Sequence, residues 1–117
     1  MFKMNHVHIK TKDTEKTAKF YVETMGAKIV SQSPNGGYRV DLHGLSLNVT
    51  KFLDQQTREQ KYGMEHIAID TDELDTLVEK LKAQGIHILD ETVVSGGRRV
   101  CLFEGPDGVQ LESIEMK

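Results

Sequence analysis

Asn5-His6-Val7-His8-Ile9 near the start of the chain and Glu65-His66-Ile67-Ala68-Ile69 past its middle read as one phrase used twice, with His6 and His66 standing 60 positions apart. Each phrase alternates polar and apolar residues, the period-two pattern of a strand with one buried face. Downstream of both phrases the chain is again alike. Asp13 sits where a short carboxylate caps a first helical turn, and Ala18, Tyr21, Val22 and Met25 fall at i, i+3, i+4 and i+7, one apolar stripe. Gly26 ends that stripe, where a left-handed exit residue belongs. In the second copy Asp70 and Glu73 have the spacing of a capping box, Leu74, Leu77, Val78 and Leu81 repeat the stripe, and Gly85 closes it.

Three further strands are expected in each copy. In the first they are Ala27 to Gln32, Tyr38 to His43 and Leu45 to Thr50, separated by the turn Pro34-Asn35-Gly36-Gly37 and by Gly44. In the second they are Ile86 to Leu89, Arg98 to Phe103 and Val109 to Glu115, separated by the turns Ser95-Gly96-Gly97 and Pro106-Asp107-Gly108. The order β-α-β-β-β therefore occurs twice, joined by a polar stretch that contains Asp54, Gln55, Gln56, Arg58, Glu59, Gln60 and Lys61. The expectation is a single α+β domain over residues 1–117, built of two βαβββ modules at about 4–51 and 64–117 with a linker at 52–63.

Composition narrows the function. A chain of 117 residues, 38% hydrophobic and 28% charged, has the make-up of one ordinary globular domain rather than a disordered segment. The formal charge of −3 is spread along the sequence, which excludes the basic face that tracks nucleic-acid phosphates. No apolar run approaches the ~18 residues of a membrane span, and Met1-Phe2-Lys3-Met4-Asn5-His6 has no leader-like apolar stretch. A single cysteine, Cys101, excludes an internal disulfide and a cysteine-based zinc site. A cytoplasmic domain acting on a small molecule, with no nucleic-acid or membrane partner, is expected.

Superposing the copies pairs His6 with His66 and, at an offset of 64, Asn48 with Glu112. If the first and last strands of each copy are neighbours, a pseudo-twofold axis brings these four positions together. Two imidazoles and a carboxylate suit Fe²⁺, Mn²⁺, Ni²⁺, Co²⁺ or Zn²⁺, and three protein ligands leave open positions for water and substrate. The same two histidines read equally well as ordinary sheet residues inherited from a duplicated ancestor.

Asn5-His6-Val7-His8-Ile9, Phe20-Tyr21 and Met25-Gly26, Glu65-His66-Ile67-Ala68-Ile69, and Gly105-Pro106-Asp107-Gly108-Val109-Gln110-Leu111-Glu112 together resemble the vicinal oxygen chelate superfamily. That group includes glyoxalase I, extradiol dioxygenases, fosfomycin-resistance enzymes, methylmalonyl-CoA epimerase and bleomycin-binding proteins. The resemblance implies a divalent metal held by His6, His66 and Glu112, a homodimer, and Glu112 as the base that moves a proton next to a carbonyl. It further implies substrate contacts from Lys10, on the same strand face as His6 and His8, and from Asn48, a neutral amide where glyoxalase I carries glutamate. The implied activity is a glyoxalase-like, lactoylglutathione lyase-type isomerisation of a small oxo compound. Extradiol-type oxygenation, or non-catalytic binding of a drug, is the alternative. His8 is expected to support a ligand or line the sheet, Arg98 and Arg99 to clamp an anion or face solvent, His43 and His87 to be structural, and Cys101 to be a small buried hydrophobe.

Overall fold

In the computed structural model, residues 1–54 and 56–116 are described; Gln55 of the linker and Lys117 at the end of the second module lie outside the described residues. Chain order is β1 (Phe2–Lys10), α1 (Thr14–Met25), β2 (Lys28–Gln32), β3 (Tyr38–Leu42), β4 (Leu45–Thr50), β5 (Gly63–Thr71), α2 (Leu74–Ala83), β6 (Ile88–Val94), β7 (Arg98–Glu104) and β8 (Gln110–Glu115). This is the α+β, doubly written βαβββ pattern. Two compact units result, one made of His6–Glu65 and the other of Met1–Asn5 with His66–Lys117.

In the His6–Glu65 unit the strand order is β2-β3-β4-β1. β1 and β4 run parallel, whereas β3 pairs antiparallel with both β2 and β4. The hairpin between β3 and β4 turns on His43 and Gly44, with φ of 51° and 100°. Two positive φ values in a two-residue loop are the type I′ pattern, whose twist matches that of paired strands. That turn pairs Leu42 with Leu45 and so fixes every pair behind it, including Arg39 with Asn48. Helix α1 starts as expected, with the Asp13 carboxylate accepting the Lys16 N–H at 3.0 Å. It ends at Gly26 in the left-handed region, φ 74°. Its Ala18 packs with Val7, Ile9, Ala27, Val40, Leu47 and Val49, while Tyr21 leans on the same cluster. Period-two alternation puts Val7 and Ile9 toward the helix, so His6, His8 and Lys10 take the opposite face.

The other unit repeats the scheme with the order β5-β8-β7-β6, β5 parallel to β8. Leu74, Leu81 and Cys101 are buried in its helix-side cluster, with Leu77, Val78, Ile86, Ile88 and Phe103 packed around them. A second apolar cluster, Ala68, Val100, Leu102 and Ile114, occupies the opposite sheet face.

Two local expectations are corrected. Asp70 and Glu73 form no capping box: β5 runs on through Thr71, the Asp70 carboxylate accepts the Asn5 Nδ2 amide at 2.9 Å, and Glu73, the N-cap of α2, makes no side-chain cap bond. The Glu73 N–H is taken instead by Thr71 Oγ1 at 3.1 Å. The strand expected at Ile86 to Leu89 begins at Ile88 and runs to Val94, because the Ile86 N–H bonds back to the Leu81 carbonyl at 2.9 Å and closes the helix.

Candidate functional site

The expected equivalence of the two copies is carried by strand register. On β1 and β4 His8 stands opposite Asn48, and on β5 and β8 Ala68 stands opposite Glu112. His6 and His66 each lie two residues earlier on the same strand and face, so Asn48 and Glu112 hold matching places relative to their histidines.

In the unit that contains His66, the register brings two of the expected site residues into contact. His66 Nε2 lies 2.7 Å from Glu112 Oε2, with the two side chains 2% and 13% exposed. Two acceptor atoms this close repel unless they share a cation, and a proton on the imidazole or a metal ion bound to both would supply it. Imidazole nitrogen beside carboxylate oxygen is the donor chemistry of the divalent transition metals. The pair therefore fits such an ion. Ala68 and Leu102 are the register partners of Glu112 on either side, and both are buried.

In the His6–Glu65 unit the corresponding face is polar. His6 and His8 are buried, their ring centroids 5.7 Å apart in an edge-on arrangement. His8 Nε2 is 2.8 Å from Thr50 Oγ1, which itself donates to the Lys51 carbonyl at 2.9 Å. Since that hydroxyl proton is directed to the carbonyl, Thr50 acts as the acceptor and His8 as the N–H donor. Asn48 is half-buried on β4, between His8 on β1 and Arg39 on β3. Lys10 is buried within the fold. Its side chain is 0% exposed. Its ammonium donates to Gln56 Oε1 at 2.5 Å and Gln60 Oε1 at 3.0 Å, and lies 3.9 Å from Glu65 Oε1. Glu65 in turn takes Arg58 Nη2 at 3.3 Å and the Lys61 N–H at 3.2 Å.

Two features escape a reading of the sequence. The segment after β4 is polar without any apolar period, and nothing in its pattern tells that Gln56 and Gln60 fold back onto a buried lysine. Arg39 is the other. Its place beside Asn48 follows from the hairpin at His43-Gly44, so counting pairs outward from that turn is the signal that finds it. Of the remaining candidates, Arg99 is exposed and bonded to Asp75 at 2.8 Å and to Glu115, which leaves no open anion clamp there. His43 Nε2 meets the Met25 carbonyl at 2.7 Å, a structural link from the β3–β4 turn to the end of α1. Cys101 is 1% exposed, and burial pushes its thiol up to about 11.

Known proteins resemble the chain over nearly its whole length. The family model described as the Glyoxalase/Bleomycin resistance protein/Dioxygenase superfamily matches residues 3–113. The lactoylglutathione lyase of Haemophilus influenzae is 30% identical to the chain, over 96% of the chain and 91% of that protein. The metallothiol transferase FosB of Lysinibacillus sphaericus is 32% identical over 93% of the chain and 79% of that protein. Among solved structures, a hypothetical protein from Bacillus halodurans matches with a TM-score of 0.78 at 18% identity, covering 99% of the chain and 95% of its own. That last likeness speaks for the fold alone. No helix among the described residues is long and apolar enough to cross a membrane.

Proposed function

Because the chain belongs to the Glyoxalase/Bleomycin resistance protein/Dioxygenase superfamily, we propose that it is a divalent-metal-dependent enzyme of the glyoxalase type, isomerising a small oxo compound. His6, His66 and Glu112 are assigned as the metal ligands. The observation that carries the reading is the 2.7 Å approach of His66 Nε2 to Glu112 Oε2, from the register position whose copy in the other unit is occupied by Asn48. The identity to a lactoylglutathione lyase over nearly the whole chain supports this direction. The ion, Ni, Zn, Fe, Mn or Co, supplies Lewis-acid polarisation of two neighbouring substrate oxygens when bound.

The protein's own residues do the rest. The Glu112 carboxylate takes the proton from the carbon beside the carbonyl at one oxygen and returns it to the neighbouring carbon, so that no atom is gained or lost. Burial of His66 and the apolar walls at Ala68 and Leu102 keep bulk water from that proton. Asn48, with no proton to take, binds substrate by its amide, and one carboxylate then handles both half-transfers. Lys10 serves substrate binding in this reading as a buried positive charge behind the same strand face, its ammonium held by the Gln56 and Gln60 amides and beside Glu65. Cytoplasmic location and a homodimeric assembly complete it.

The test uses the hemithioacetal of a 2-oxoaldehyde and glutathione. Protein loaded with nickel or zinc is expected to form the 2-hydroxy thioester, and Glu112→Gln to lose at least about a hundredfold of that rate. Unimpaired turnover by Glu112→Gln, or none by the wild type with any of the five metals, contradicts the proposal.

A further inference from the structure

Across the four strands of the His6–Glu65 unit one transverse row reads Ser31, Arg39, Asn48 and His8. Arg39 is half-buried on this row, yet among the described residues its side chain reaches only the Ser46 hydroxyl, at 3.4 Å, and makes no ion pair. A guanidinium carries five donors and never loses its charge. A long contact to one neutral hydroxyl leaves most of that capacity unused.

The row opens into a cavity of about 210 Å³ walled by Ser31, Ser33, Arg39, Asn48 and Thr50. Among the described residues Arg39 is the only charged one of its lining; the other polar side chains are hydroxyls and one amide. The volume is smaller than the ~300–1,000 Å³ of a whole-ligand site, so it suits one substituent of a larger molecule. The equivalent row of the other unit is Asp90, Leu102, Glu112 and Ala68. There the place of Arg39 is held by leucine, so the cation is a feature of one copy and not of the repeated fold.

We propose that Arg39, with Asn48 and the hydroxyl of Ser31, forms an anion subsite that receives a carboxylate carried by the substrate. The inference rests on the proposed metal chemistry only for what the rest of the substrate does. By strand geometry Arg39 and His6 stand on one face, two strands and two residues apart, roughly 10–12 Å between their backbones. The acid group it selects is therefore separated from the reacting oxygens by a few bonds. The substrate class is an oxo compound with a remote carboxylate.

Two probes separate the subsite from the metal. 2-Oxoglutarate carries an oxo-acid head and a distal carboxylate, whereas 2-oxopentanoate carries the same head and an apolar tail. Calorimetric titration of zinc-loaded protein is expected to favour 2-oxoglutarate by about tenfold or more, the effect of one charge-assisted Arg–carboxylate contact. Arg39→Gln should erase that preference while leaving 2-oxopentanoate affinity unchanged, and Arg39→Lys, which keeps the charge, should restore part of it. Equal affinity for the two acids in the wild type, a preference that survives in Arg39→Gln, or no saturable binding of either acid overturns the subsite. Repeating the titrations on metal-free protein isolates the other premise. Affinities that do not depend on zinc overturn the chelating head, while the carboxylate preference still decides Arg39.

Discussion

At the residue scale the most demanding feature is a full positive and a full negative charge with no exposed side-chain surface, Lys10 and Glu65. Buried charges persist only where partners replace the lost water, and here Gln56, Gln60, Arg58 and the Lys61 N–H do so. Period-two alternation correctly puts Lys10 on the face of His6 and His8, but the partners lie some fifty residues on, in a segment whose pattern is silent. The burial was not legible for that reason. Glu65→Ala leaves Lys10 and Arg58 without their shared carboxylate and is expected to lower stability by about 3–5 kcal/mol, read from urea unfolding; a loss below ~1 kcal/mol would show that the network contributes little. Cys101 was legible as a buried hydrophobe, because it sits at an apolar position of a strand. With its thiol pushed further above neutrality by burial and closed off from solvent, a disulfide reagent should modify it orders of magnitude more slowly in folded than in urea-unfolded protein. Equal rates would place the thiol at the surface.

At the scale of elements, local rules succeeded where the chain's own neighbours decide the outcome. The Asp13 cap is one: its acceptor and donor are three residues apart, so nothing distant competes. The Asp70–Glu73 box failed because a tertiary partner, Asn5, takes the carboxylate. Helix α2 is instead tied down by a three-element cluster, Asp75 on α2, Arg99 on β7 and Glu115 on β8. Hydrogen bonding from Arg99 holds the Asp75 carboxyl below the usual carboxylate range. A depressed carboxylate pKa in the folded state stabilises above the unfolded value, and that contribution is lost as pH falls through the folded one. The stability advantage of wild type over Asp75→Asn, small because the pair is exposed, should thus be constant near neutrality and vanish in the acid range. A gap that widened on acidification would reverse the sign of the linkage.

At the scale of the molecule the duplication was legible because it is written in both periodicities and in glycine placement. The register confirms its alignment of Asn48 with Glu112. What the repeat could not reveal is how the copies diverged. One has Arg39, Asn48 and His8 across its sheet; the other has Leu102, Glu112 and Ala68. These are three of the four positions that differ in one row, visible only once strands are paired. In the proposed function one copy recognises the substrate and the other holds the reacting carboxylate, a division of labour that identical modules could not provide. The proposed function depends on metal ligation by His6, His66 and Glu112, and elemental analysis after zinc loading and exhaustive dialysis tests it directly. About one zinc per chain is predicted for the wild type, the occupancy of an open three-ligand site, with loss in each of His6→Ala, His66→Ala and Glu112→Ala while circular dichroism stays unchanged. Zinc retained undiminished by the folded His66→Ala and Glu112→Ala proteins would contradict it.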